Sequence, residues 1–358
     1  MTFNVINYFI SGNTTKGYHS LLKTNIEDVQ LIVLLGNYQK IKTVIFENII
    51  ERWKKNKHRV EVLHCASNTD YIDGVINRSI NIGIIDGNRQ ELESLIIDDT
   101  FDVDDILDTK IKEKIIEDII DYENDIINNH LSAYEHFSNA LAIHDEWEEI
   151  YIKNMNKERA DQYTDEVIRL LLKEYTFDKS GKERHRFFGA ATPEGPIDFI
   201  EDLTKDIGKR YFIKGRPGTG KSTLLKRLIL DATNRGIDVE VYHCGFDPHS
   251  LDMVVLKDLD IVIFDSTAPH EYFPSRDKDE IIDMYAKIIK PGTDEKYADR
   301  LEEIIERYSS EVKLGTDFLK QSKELMKKKD NLYEHAVNKG NLYKFLLQLN
   351  STLDEYEK

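Results

Sequence analysis

Cysteine is almost missing from these 358 residues, with only Cys65 and Cys244 present. Two cysteines exclude a disulfide framework and a four-cysteine zinc site. Basic residues are the minority charge. Lys and Arg number 49 against 66 Asp and Glu, a formal net charge of −17. That balance argues against generic binding to a nucleic-acid backbone, which calls for clustered Lys and Arg. No apolar run approaches the roughly 18 residues needed to span a bilayer. The stretch Met1 to Asn13 has no Lys or Arg ahead of its short apolar segment, so no secretory signal is expected. The expectation is a cytoplasmic protein with neither a membrane nor a nucleic acid as partner. Proline is absent before Pro193, and all seven (Pro193, Pro196, Pro217, Pro248, Pro269, Pro274, Pro291) fall in the second half. Twelve of the 18 glycines lie at or beyond Gly181, so tight backbone geometry is concentrated there. A hydrophobic fraction of 40% excludes a fully disordered chain, and the length suits two domains.

The two halves are nevertheless copies. Val60-Glu-Val-Leu-His-Cys65 reappears as Val239-Glu-Val-Tyr-His-Cys244, an offset of 244 − 65 = 179. The same offset relates Gly36 to Gly215, Lys42 to Lys221, Asp73 to Asp252 and Asp86 to Asp265. A period this long predicts two similar domains, 1–178 and 179–358, with the boundary in the polar stretch 176–184. Short, β-branched, continuous apolar runs predict strands at 31–35, 60–64 and 82–86, and again at 211–214, 239–243 and 261–265. Their alternation with helices predicts an α/β fold of parallel sheets flanked by helices.

After the third strand each half turns helical for a long stretch. Ile116, Ile120, Ile127, Leu131, Tyr134, Leu141 and Glu148 mark the predicted stripe of the first, fading to polar at its end. Leu301, Ile305, Tyr308, Val312, Leu319 and Met326 mark the second. We expect these helices to pack on their own domain; a projecting hairpin or dimerising arm is the alternative. The acidic run 98–105 reads as a solvated loop and helix start.

The segment Gly215-Arg216-Pro217-Gly218-Thr219-Gly220-Lys221-Ser222-Thr223 fits the phosphate-binding pattern G-x-x-x-x-G-K-[ST], between an apolar strand and a helix. Glycines let backbone N–H groups turn inward around phosphate, and the following helix adds its positive end. Lys221 is expected on the β- and γ-phosphates and Ser222 on Mg²⁺. Asp265, ending the strand 260–265, is the matching metal-holding acid. Many such ATPases place Glu directly after that acid, but here the position is Ser266. Glu271 and Asp247 are the candidates to orient water. In the first half the loop reads Gly36-Asn-Tyr-Gln-Lys-Ile41-Lys42-Thr43, with Gln39 and Ile41 where Gly218 and Gly220 stand. A β-branched residue at a left-handed position is expected to be strained and to block phosphate, so this site is read as non-binding.

From 184 to 195, through the loop, 242–248 and 264–274, the chain resembles a family of poorly characterised bacterial ATP-binding proteins built from two tandem P-loop NTPase domains. The resemblance covers nearly the whole chain. It implies ATP binding and, by analogy, hydrolysis; in that family both halves usually keep a recognisable loop, and here the first does not. No guanine-reading N-K-x-D is present.

Other groups are open to two readings. Arg184-His185-Arg186 could approach an anion if its strand joins the sheet. His270 could read phosphate or act as a structural hydrogen-bond partner. Arg89 is a candidate arginine finger. His243–Cys244 and its copy His64–Cys65 invite a metal reading, but successive strand residues face opposite ways, which favours a buried cysteine beside a structural histidine. The expected function is ATP·Mg²⁺ binding with slow hydrolysis coupled to a protein or small-molecule partner. A small-molecule or nucleotide kinase, and a nucleotide-gated binding module, are the alternatives.

Overall fold

The computed structural model of the protein describes residues 5–88, 92, 95–268 and 271–358. The first half runs β1 (Val5–Phe9), the hairpin β2 (Ser11–Thr14) and β3 (Gly17–Ser20), α1 (Lys23–Ile26), β4 (Gln30–Leu35), α2 (Gln39–Lys55), β5 (Val60–His64), β6 (Ile72–Asn77), β7 (Ile82–Asp86), β8 (Asp99–Asp102), α3 (Thr109–Lys153) and α4 (Lys157–Leu172). The second half repeats that order. It has β9 (Glu183–Phe187), β10 (Gly189–Thr192), β11 (Gly195–Asp198), α5 (Ile200–Thr204), β12 (Lys209–Lys214), α6 (Lys221–Asn234), β13 (Val239–His243), β14 (Leu251–Leu256), β15 (Ile261–Asp265), β16 (Glu280–Asp283), the short α7 (Met284–Ile288) and α8 (Thr293–Lys296), then α9 (Ala298–Ala336) and α10 (Lys339–Tyr356).

Among the described residues, twelve strands form one sheet in the order β16-β12-β15-β14-β13-β9-β1-β5-β6-β7-β4-β8. The six predicted strands are all there, but the sheet is mixed. Five strands of each half run one way, while β14 and β6 run against them. The chain allows nothing else: the link from β14 to β15 is a short turn, and a parallel crossover needs a dozen or more residues. The acidic run 98–105 is not wholly loop, because Asp99–Asp102 forms the edge strand β8 beside β4.

The halves meet where β1 and β9 pair antiparallel through the single match Phe9↔Phe187. At this seam Arg186 of β9 is fully buried, its guanidinium 3.2 Å from both Glu61 oxygens and 3.3 Å from Glu240. It also stacks 4.1 Å from the Tyr8 ring. Arg78 closes on Glu61 at 3.0 Å, and Lys257, its copy at an offset of 179, closes on Glu240. Burial alone would push both carboxyls up, but Arg186 with Arg78 or Lys257 more than reverses it. Glu61 is held well below the usual carboxylate range, and Glu240 at about 2. The predicted Arg184-His185-Arg186 strand thus does join the sheet, but its arginines are spent on the fold, with Arg184 on Asp28 at 2.5 Å.

The long helices depart furthest from expectation. Neither packs on its own half alone. No proline or glycine interrupts α3 over its 45 residues, and it crosses the molecule against the 39-residue α9. Near its start, Ile119 lies in the first half's core; near its end, Tyr151 lies in the second's, together with Val167, Ile168, Leu171 and Leu172 of α4. The exchange is reciprocal. Tyr333 and Ala336 of α9, with Phe345, Leu349 and Leu353 of α10, complete the first half's core around Ile32, Phe46 and Trp53. Each of the buried leucines and Phe345, taken from water, contributes about 1.5–3 kcal/mol. Two bridges fix the crossing ends, Leu107↔Val337 and Met155↔Ile289.

The predicted stripe Ile116, Ile120, Ile127 and Leu131 is 38–59% exposed. The buried face is Ile119, Ile126, Ala133, Phe137 and Ala140. Small residues at the crossing (Ala133, Ala140, Gly315, Ser322) let the helices approach closely, and a search for large apolar residues passes them over. Among the described residues no helix is long and apolar enough to cross a membrane.

Candidate functional site

The loop 215–220 leaves the carboxyl end of β12 and enters α6 at Lys221. Gly218 (φ 74°) and Gly220 (φ 84°) are left-handed, a conformation that costs other residues about 1–2 kcal/mol. Gly220 sits at the N-cap with no side-chain hydrogen bond, which leaves the first amides of a 14-residue helix for an anion. Thr219 is buried and donates to the Arg216 carbonyl at 2.8 Å, tying the loop to itself. Arg216 pairs with Asp294 at 3.0 Å, and Pro217 lies between it and Gly218. Thr223 is exposed on the first turn of the helix.

Because β15 runs parallel beside β12, Asp265 ends next to the loop. Lys221 Nζ lies 3.2 Å from Asp265 Oδ2 and donates to Thr267 Oγ1 at 3.2 Å and the Arg216 carbonyl at 3.3 Å. Asp265 Oδ1 accepts from the Thr267 amide and hydroxyl at 3.1 and 2.5 Å. Ser222 Oγ accepts from the Leu251 amide at 3.0 Å, which keeps its hydroxyl oxygen at the strand ends. A hydroxyl and a carboxylate beside a lysine are hard oxygen donors of the kind a Mg²⁺·phosphate takes.

The two candidates for orienting water are placed less favourably. Glu271 is exposed and lines a cleft of ≈ 340 Å³ with Lys214, Gly215, Thr267, Asp283 and Tyr285. Asp247 is spent on its own turn, accepting from the His249 amide at 3.1 Å and the Ser250 hydroxyl at 2.7 Å. His270 and Arg89 lie outside the described residues.

A helix of the first half supplies what the sequence reading missed. The end of α3 lies on the loop so closely that a Cβ at Gly218 would stand 2.6 Å from the Glu148 carbonyl oxygen. One turn back, His144 Nδ1 is 3.8 Å from Glu148 Oε1. Among the described residues, His144, Asp145 and Glu148 are the group whose potential ligand atoms all fall within 4.8 Å of one another. Burial pushes the His144 imidazole down; Glu148 opposes this and Lys221 adds to it. In the sequence Glu148 reads as the polar end of a stripe. A second internal offset, 330 − 148 = 182, would have marked it. That offset pairs Glu148 with Asp330, Tyr151 with Tyr333, and the helix-capping Asn156 with Asn338.

Gly218→Ala is therefore expected to cost about 2 kcal/mol or more, from the left-handed backbone and the displaced helix together. Thermal unfolding checks this; an unchanged melting temperature would mean α3 does not rest on the loop.

The first half keeps the frame without the cradle. Expected strain at Ile41 does not arise, because α2 begins at Gln39 and Ile41 is helical. The helix has grown back through the positions where the glycines stand in the other copy. Lys42 is fully buried on Asp86 at 2.5 Å, and Thr43 accepts from the Ile72 amide at 3.1 Å as Ser222 does from Leu251. Asp330 of α9 is buried over the start of α2, where it accepts from the Tyr71 hydroxyl and faces the Lys40 amide. Tyr38 stacks on Tyr333 at 5.2 Å.

Among the described residues, neither histidine–cysteine pair falls in a group of close potential metal ligands. His243 has both ring nitrogens engaged, with His185 at 2.9 Å and the Pro248 carbonyl at 2.7 Å. Burial lowers its imidazole to about 4 and pushes the Cys244 thiol well up. His64 is likewise lowered by burial to about 4 and bonds Asn7 at 2.9 Å. Compared with known proteins, the chain matches no family model, no curated protein and no solved structure.

Proposed function

We propose that the second half binds ATP as its Mg²⁺ complex on Gly215–Thr223 and Asp265 and hydrolyses it slowly, while the first half is a scaffold that binds no nucleotide. The observation that carries this is the loop itself. Two left-handed glycines lead into an uncapped helix, with Lys221 and Asp265 held 3.2 Å apart at adjacent strand ends. The loop amides and Lys221 would take the β- and γ-phosphates. Ser222 and Asp265 would hold Mg²⁺, which when bound neutralises charge on the phosphate oxygens. The crossed pair α3 and α9 touches both halves, so a change of loop conformation would be felt at the far core and by a partner docked along the helices.

One observation favours a kinase as the second reading: the cleft beside the loop, with Lys214, Glu271 and Asp283 on its walls, has room for a small phosphoacceptor. Purified protein incubated with labelled ATP and Mg²⁺ separates the readings. Slow phosphate release that stops on chelation of Mg²⁺ supports the ATPase. Turnover only with an added metabolite supports the kinase, and binding without turnover supports a nucleotide-gated module. Failure to bind any nucleoside triphosphate would sink the proposal.

A further inference from the structure

An ATPase needs a group that orients and deprotonates water at the γ-phosphate. The strand that ends in Asp265 does not supply one. The next residue, Ser266, is fully buried and donates its hydroxyl to the Tyr272 carbonyl. Glu271 faces the cleft on the Lys214 side of the loop, and Asp247 holds its own turn.

The crossing helix brings an acid to the loop. The backbone of Glu148 lies against Gly218, and its carboxylate lies within reach of His144, whose imidazole feels Lys221 and Asp247. The internal repeat strengthens the case. At an offset of 182, each half's long helix carries one acid at the place where it meets the other half's loop or helix start. In the first half that acid, Asp330, is buried on the helix start that has replaced the cradle. In the second half two glycines keep the cradle open, and Glu148 stands at its edge.

We propose that Glu148, carried on a helix of the first half, is the catalytic carboxylate of the second half's nucleotide site. The assignment rests on the ATPase reading above. As the oxygen of water bonds to the γ-phosphorus, the bond from that phosphorus to the β,γ-bridging oxygen breaks and ADP departs. Glu148 takes the proton of the attacking water and passes it to solvent as phosphate leaves. Hydrolysis then depends on the position of a helix rooted in the other half, so the idle half governs turnover without binding nucleotide.

The test is made on the full chain. Glu148→Gln is expected to keep its Kd for Mg²⁺·ATP within about threefold while kcat falls about 10²- to 10⁴-fold and KM stays put. Glu149→Gln, altering the exposed neighbour, is the control and should leave kcat unchanged. Glu148→Asp retains the carboxylate at a shorter reach and is expected to give an intermediate kcat. It also carries the test if the glutamine variant fails to fold, and a wild-type kcat in that case would overturn the assignment. Glu148→Gln binding and turning over like wild type overturns the role of Glu148 and leaves the ATPase reading standing. Wild-type protein that binds without hydrolysing removes the catalytic role and leaves nucleotide binding intact. Wild-type protein that binds no nucleotide removes both.

Discussion

Replacing Arg186 with methionine is expected to cost about 3–5 kcal/mol, a large part of the 5–15 kcal/mol that holds a typical fold together. Methionine nearly matches the side chain in length but leaves Glu61 and Glu240 facing one another across the seam. Each keeps one cation, Arg78 or Lys257, and loses the guanidinium they share. The stacking on Tyr8 goes as well. Chemical denaturation at neutral pH measures the loss. Acid supplies a second signature. The two carboxyls lie low in the folded protein and near 4.3 when unfolded. Their stabilisation is therefore complete above roughly pH 5 and fades as pH falls towards 2. Without Arg186 the folded carboxyls rise, so the gap between wild type and variant should narrow over that interval. A constant gap would mean the arginine acts through packing alone.

Lys221→Ala is expected to weaken Mg²⁺·ATP binding by about 30-fold or more, since truncating one partner of a desolvated charge pair costs about 2–5 kcal/mol. Turnover should fall below detection. The readout is the rise in melting temperature with added nucleotide. At 100 times its Kd a ligand stabilises the folded state by about 2.7 kcal/mol, and the variant should lose that rise. The counterpart Lys42→Ala should behave in the opposite way. Lys42 is fully buried on Asp86, so its loss strands a carboxylate and destabilises the fold by about 3–5 kcal/mol. Where Lys42→Ala still folds, its nucleotide response should match wild type. A nucleotide response that survives in Lys221→Ala would mean the ligand sits elsewhere.

Much of this molecule was legible in its sequence, and the limits have physical causes. The six predicted strands were found because they are buried on both faces and read as short, unbroken, β-branched runs. The intervening β6 and β14 were passed over. Ile72-Asp-Gly-Val-Ile-Asn77 mixes polar residues and a glycine into its run, and a mixed sheet was not in view. The loop was legible because its glycines, lysine and serine stand at the fixed spacing of a phosphate-binding pattern. Its neighbour on α3 was not, since a helix carries no mark of the surface it will meet. Isoleucines stand on both faces of α3, and only the position of α9 decides which are buried. Ile41 shows the opposite failure: strain is expected there only if the loop persists, whereas without the glycines the backbone is helical from Gln39.

The exchanged helices also dictate the order in which the chain can acquire structure. Trp53, on the second helix of the first half, is buried and donates to Glu357 at 2.8 Å, across 304 residues of sequence. Arg52 reaches the same carboxylate at 2.7 Å. The core of the first half is thus closed by a segment about 300 residues downstream, and it cannot be sealed until that segment has been made. Contacts this distant in sequence slow folding, and apolar surface that waits uncovered is a hazard for aggregation. Each core holds side chains from both halves, so neither half can complete its core from its own residues.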